Sequence, residues 1–95
     1  MRISSKDATD RFKEWKERAI RVNIILALRV KVDRFDAVIV AASRFGRLVV
    51  IDERDGKRKC IDLRGAKYSR EGDPPLPISV MARLNGGMVT LAELR

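Results

Sequence analysis

Histidine and glutamine are absent from the chain, cysteine occurs once, at Cys60, and aromatic residues make up only 5% of it. Without histidine, and with one thiol, the usual zinc sites, Ser-His-Asp catalysis and Cys-His nucleophilic catalysis are excluded by residue count. Cys60 has no partner for an intramolecular disulfide and reads as a small apolar residue without an assigned role. The longest nearly apolar stretch, Ile24 to Leu28, is far too short to cross a bilayer, and Met1-Arg2-Ile3-Ser4-Ser5-Lys6-Asp7 leads into no apolar signal region. A cytoplasmic protein with no membrane partner is expected. No glycine-rich stretch has the spacing of a P-loop or a dinucleotide fingerprint, so no cofactor is expected either.

What the chain does contain is charge. Of 95 residues, 21 are Lys or Arg and 13 are Asp or Glu, a formal net charge of +8 with a pI near 10.4. Such an excess is self-repelling unless an anionic partner relieves it. Arginine outnumbers lysine by about two to one, and the planar guanidinium grips phosphate through paired hydrogen bonds. The lack of thermolabile residues beside so many charges also matches proteins that work at high temperature, but a surface built for ion pairs alone would be nearer charge balance. With 45% hydrophobic residues and this length, the expectation is one domain over residues 1–95.

Ala8, Phe12, Trp15, Ala19, Val22 and Leu26 recur at helical spacing, and Ser4 or Ser5 can cap the segment, so an amphipathic helix is expected over about Ser5 to Ile20. From Val22 the apolar residues alternate up to Val32, which predicts a long, bent strand; a helix continuing to Leu28 is the competing reading. Asp33-Arg34-Phe35-Asp36 reads as a turn and Ala37 to Ala42 as a buried strand. A hairpin is expected around Asp55-Gly56, with Glu53 facing Arg58, Asp52 facing Lys59, Val50 facing Ile61, Leu48 facing Leu63 and Arg47 facing Arg64. Its inner face would be Leu48, Val50, Ile61 and Leu63. Residues 65–77, with three prolines, read as an internal loop. A second hairpin turns at Asn85-Gly86-Gly87, and Thr90 to Arg95 are compatible with a short final helix. The fold class expected is α+β: an N-terminal amphipathic helix followed by a small, strongly bent antiparallel sheet or barrel of about five to six strands.

The stretch Val32-Asp33-Arg34-Phe35-Asp36-Ala37-Val38-Ile39-Val40 resembles the Phe-Asp region of the first motif of the Sm-like family, and Leu63-Arg64-Gly65 resembles the Arg-Gly of its second. The resemblance spans under half of the chain. The family's tight turn between its first two strands and the glycine in the second are missing, so no residue roles carry over.

Acidic residues cluster at Asp33/Asp36 and at Asp52/Glu53/Asp55; the second cluster is interleaved with Arg54, Lys57, Arg58 and Lys59, which neutralise it, and no metal or catalytic role is assigned to either. The basic residues gather at turns. Arg44, Phe45 and Arg47 surround Gly46; Arg54, Lys57, Arg58 and Lys59 surround Asp55-Gly56; Arg64, Lys67, Tyr68 and Arg70 follow the second hairpin strand. Phe45 and Tyr68 are then aromatics flanked by cations, the combination that stacks unpaired bases while holding the backbone. These residues, Arg54 apart, form the expected interface of a non-enzymatic nucleic-acid-binding protein, with RNA slightly favoured over DNA and homo-oligomerisation left open. The competing reading is a protein-interaction module, such as a small viral or regulatory protein docking on an acidic protein surface.

Overall fold

A computed structural model describes residues 1–94; Arg95, the last residue of the segment compatible with a final helix, lies outside the described residues. After a two-residue strand β1 (Arg2–Ile3), helix α1 runs over Ser5–Glu17. Ser4 caps it, its Oγ accepting from the Asp7 N–H at 3.1 Å. The far end settles the competition between helical and strand periods. Ile20 N–H donates to Trp15 O at 2.9 Å, Ala19 N–H donates to Lys16 O at 3.2 Å, and Ala19 is left-handed at φ 51. This is a Schellman closure with alanine where glycine is usual. It ends the helix three residues before the expected boundary at Ile20 and sends the chain directly into a strand.

Seven further strands follow: β2 (Arg21–Leu28), β3 (Lys31–Ala42), β4 (Arg47–Asp52), β5 (Arg58–Asp62), β6 (Lys67–Glu71), β7 (Ser79–Leu84) and β8 (Gly87–Glu93). They form one antiparallel sheet in the order β1-β6-β7-β8-β2-β3-β4-β5, which does not close. The α+β class holds, but eight strands replace the five to six expected. The expected strand from Val22 to Val32 is folded back at Arg29-Val30, where Arg29 takes φ 56 and its N–H donates to Gly86 O on the neighbouring hairpin at 2.9 Å. Asp33 to Asp36 is a paired part of β3, not a turn, because Phe35 points into the core and Asp36 accepts from Asn23 Nδ2 at 2.9 Å. β6 lies within residues 65–77, where a loop was expected, since its Tyr68 faces the core between Ile3 and Ala82. At the C-terminal side the loop is the two residues Asn85-Gly86, with Leu84 facing Gly87, and Thr90 to Glu93 continue as strand.

The β4–β5 hairpin is slipped by two residues from the expected register. Arg47 faces Asp62, Leu48 faces Ile61, Val50 faces Lys59 and Ile51 faces Arg58. Local hydrogen bonds lengthen the loop to residues 53–57: Asp52 Oδ1 accepts from Arg54 N–H and Asp55 Oδ1 from Lys57 N–H, both at 2.9 Å. A slip of two preserves side-chain parity, so Leu48, Val50, Ile61 and Leu63 are buried as expected. Helix α1 lays Ala8, Phe12 and Trp15 onto one face of the sheet, against β3 and β6. Phe12 meets Trp15 and Tyr68 at ring-centroid distances of 5.9 and 6.3 Å. No described helix is long and apolar enough to cross a membrane.

Two acids are buried among the described residues, Asp52 and Glu93, and Glu93 Oε1 accepts from the Ile78 N–H at 3.1 Å. Asp52 is 0% exposed; Lys59 Nζ donates to its Oδ2 at 2.6 Å and Arg54 Nη2 at 2.7 Å. Arg54 also holds Asp33 through two bonds of 2.9 and 3.1 Å, and Arg54 and Lys59 lie 4.7 and 5.3 Å from the Phe35 ring. The Arg54 and Lys59 hydrogen bonds outweigh desolvation and hold the Asp52 carboxyl well below the usual carboxylate range. Asp33 and Glu53 are lowered too, by Arg54 and Arg21.

Two tests follow from these contacts. Ala19→Gly should raise stability by about 1 kcal/mol, since it relieves a left-handed alanine at no cost in contacts, and chemical denaturation measures it. Carboxylates with depressed folded-state values stabilise the fold above their unfolded values near about 4 and lose that contribution as pH falls further. Melting temperature should therefore be flat above about pH 5 and fall steeply below about pH 4. Asp52→Asn should lower it by about 10 °C or more at pH 7 and flatten the acid slope; an unchanged slope would show that Asp52 does not carry it.

Candidate nucleic-acid interface

The turn between β3 and β4 is shaped by contact with the chain leaving β5. Gly46 takes φ +91, and a Cβ there would lie 2.8 Å from Arg64 N; its carbonyl accepts from Leu63 N–H at 2.6 Å. Only glycine lets the two turns dock. Ser43 supports the turn, its Oγ accepting from Phe45 N–H at 3.1 Å. The result is an outward-facing Phe45, 72% exposed, with the Arg44 guanidinium 5.3 Å from its ring centroid.

Arg44 stands between two hollows. One, of about 240 Å³, is lined by Ser5, Phe45, Arg64, Gly65 and Tyr68. The other, of about 390 Å³, is lined by Ser5, Lys6, Thr9, Asp10 and Lys13 of the helix. The structure thus brings Arg44, Phe45, Arg64 and the edge of Tyr68 to one end of the molecule, and adds Lys6 and Lys13, which sequence reasoning missed. The signal for the two lysines was faint, because only the docking of the helix N-terminal half against the β3–β4 turn unites them with Arg44.

The other expected residues scatter. Tyr68 is buried and packs edge-on against Phe12, and burial raises its hydroxyl above the ordinary tyrosine value. It is a core residue, which leaves Phe45 as the exposed ring for stacking. Arg47 faces Asp62, not Arg64. Arg64 instead clasps Asp62, with its Nη2 at 2.7 Å, and this clasp holds the Asp62 carboxyl at about 2. Lys57 and Arg58 are exposed at the opposite end of the hairpin, whereas Lys59 is drawn inward by Asp52. Arg70 lies beside Asp7, Asp10 and Glu14, away from the rest of the set.

Lys67 projects from the outer face of the sheet, where Arg2, Lys67 and Arg83 surround a hollow of about 470 Å³ floored by Ser69, Met81 and Met88. Arg2 and Arg83 were also missed. The alternation of Met81 and Arg83 was visible in the sequence, but reading residues 65–77 as a loop removed the strand that pairs Lys67 with Arg83.

The ion pairs explain the sign of this surface. Eight described cations sit within 4 Å of a carboxylate. Among the described residues Arg2, Lys13, Arg44, Lys67 and Arg83 are cations of these hollows that form no such pair. No characterised family, curated protein or solved structure matches this chain.

Proposed function

We propose that the chain is a non-enzymatic nucleic-acid-binding protein that takes a single-stranded or looped segment, RNA ahead of DNA, at the end formed by Arg44, Phe45, Arg64, Lys6 and Lys13. The observation that carries this reading is the exposed Phe45 ring, with Arg44 against it, between two cation-bearing hollows. A ring of this kind stacks an unpaired base, and the flanking cations take the phosphates on either side. RNA leads because its recognition centres on splayed bases, which suit stacking, whereas duplex DNA would hide them. The outer-face cations Arg2, Lys67 and Arg83 supply further attraction for a polyanion. A cytoplasmic location accompanies this reading.

A second reading, docking on an acidic protein surface, is favoured by one observation. The β2–β3 hairpin tip exposes Val30 fully and Val32 largely, flanked by Arg29 and Lys31. Apolar residues ringed by cations suit an acidic protein partner better than a phosphate backbone.

Titration of labelled single-stranded RNA in about 50 mM salt separates the two. Phe45→Ala should weaken binding by roughly 5- to 100-fold without changing the salt slope, since stacking releases no counterions. Arg44→Ala with Lys13→Ala should flatten that slope by about 1.5 for two lost phosphate contacts. Replacing Arg29, Val30 and Lys31 at the hairpin tip should change little. Absence of binding at this salt concentration, or loss confined to the tip variant, would overturn the proposal.

A further inference from the structure

Among the described residues, strand β5 ends the sheet and pairs only with β4. Its ladder fixes which main-chain groups are left over. Leu63 N–H donates to Gly46 O and Asp52 N–H donates to Lys57 O, and both bonds belong to the register in which Arg47 faces Asp62 and Ile51 faces Arg58. Because hydrogen-bonded pairs alternate along an antiparallel ladder, Lys57, Lys59, Ile61 and Leu63 turn their N–H and C=O groups towards β4. Arg58, Cys60 and Asp62 turn theirs away. All three are exposed, and among the described residues no turn or loop main-chain bond reaches them.

These three residues read as a charge palindrome about Cys60. We propose that β5 is a self-association edge, pairing antiparallel with β5 of a second copy of this chain about a two-fold axis through Cys60. In that register Cys60 meets Cys60 of the second copy, Arg58 meets its Asp62 and Asp62 meets its Arg58. Each of the three pairs exchanges two main-chain hydrogen bonds, because all three are outward-facing positions. The side chains agree, since opposite charges stand across from each other twice. A parallel arrangement would set Arg58 against Arg58. A shift of two residues would set one charge against Cys60 and leave the other unopposed.

Charge state favours this match. Arg58 forms no ion pair among the described residues, and Asp62, although held by Arg64, is 53% exposed at its side chain; a carboxylate has room for a second cation. At the other end of the sheet, β1 is two residues long and offers no comparable edge. Pairing through β5 is therefore isologous and closes at two copies instead of growing into a filament. A strand edge of this length makes a small interface, so the dimer forms in the micromolar range or weaker.

Nuclease-treated protein free of nucleic acid, examined by sedimentation equilibrium at about 150 mM salt, makes the test independent of the nucleic-acid proposal. The expected result is a reversible shift from 10.8 kDa towards twice that mass as concentration rises to about 500 µM. Arg58→Asp and Asp62→Arg should each raise the midpoint concentration roughly tenfold, and the two together should return it to near the parent value. Cys60→Pro removes the N–H on the axis while leaving the β4 ladder intact, and edge strands tolerate proline where the N–H faces out. It should abolish the dimer with the melting temperature of the monomer unchanged. A short bis-maleimide should join two copies through Cys60, whose Cα atoms would lie about 5.5 Å apart. A monomer at every concentration, a dimer indifferent to Cys60→Pro, or an exchanged variant as dissociated as the single ones would overturn the proposal.

Discussion

The buried Asp52 carboxylate is the constraint around which the β3–β5 half of the molecule is organised. A charge taken wholly out of water must be matched by hydrogen-bonding cations, and Arg54 and Lys59 provide them from the loop and from the opposite strand. That requirement sets the length of the β4–β5 loop, since Arg54 must curl back over Asp52. It places Phe35 under two cations and, through Asp33, ties β3 to the same loop. Asp33 and Asp52 serve as internal counterions of the hairpin cations Arg54 and Lys59.

The same pairing gives the surface its character. Acids are drawn into intramolecular pairs at Asp33, Asp52, Glu53 and Asp62, so the cations left over face solvent without nearby counterions. Their positions follow from the topology. The docked turns at Gly46 and Arg64 bring β3–β4 and β5–β6 together beside the helix N-terminus. The outer face of β1, β6 and β7 carries a second group over a methionine floor. One end presents the exposed Phe45 ring beside Arg44; the other face presents cations over methionines.

How far the candidate site was legible differs residue by residue. Arg44 and Phe45 could be placed around Gly46 from local turn chemistry, but Arg64 could be joined to them only through an Arg47–Arg64 pairing, which the structure replaces with Arg47–Asp62; the contact of Gly46 with Leu63 and Arg64 is what unites them. Tyr68 could not be assigned, since a tyrosine beside cations looks the same whether it stacks a base or fills a core, and burial alone decides. Lys59 belonged by composition to an exposed basic cluster, yet lies on the core face of β5 next to a buried acid. Lys6 and Lys13 are distant in sequence from Arg44 and share its hollow only through packing.

By itself, the sequence determined the charge excess, the helix start at Ser4, the apolar faces of the hairpin and the α+β class. These depend on composition, capping and side-chain periodicity, which act within a few residues. The tertiary structure decided the turn at Arg29-Val30, the two-residue slip of the hairpin, the strand at Lys67–Glu71 and the free edge of β5. In each of these, local preferences were nearly balanced or misleading, and a distant partner tipped them: Gly86 for the turn, Arg54 and Lys59 for the register, and Ile3 with Ala82 for the strand. The β5 edge had no local signal at all, because being last in a sheet is a property of the neighbours and not of the strand.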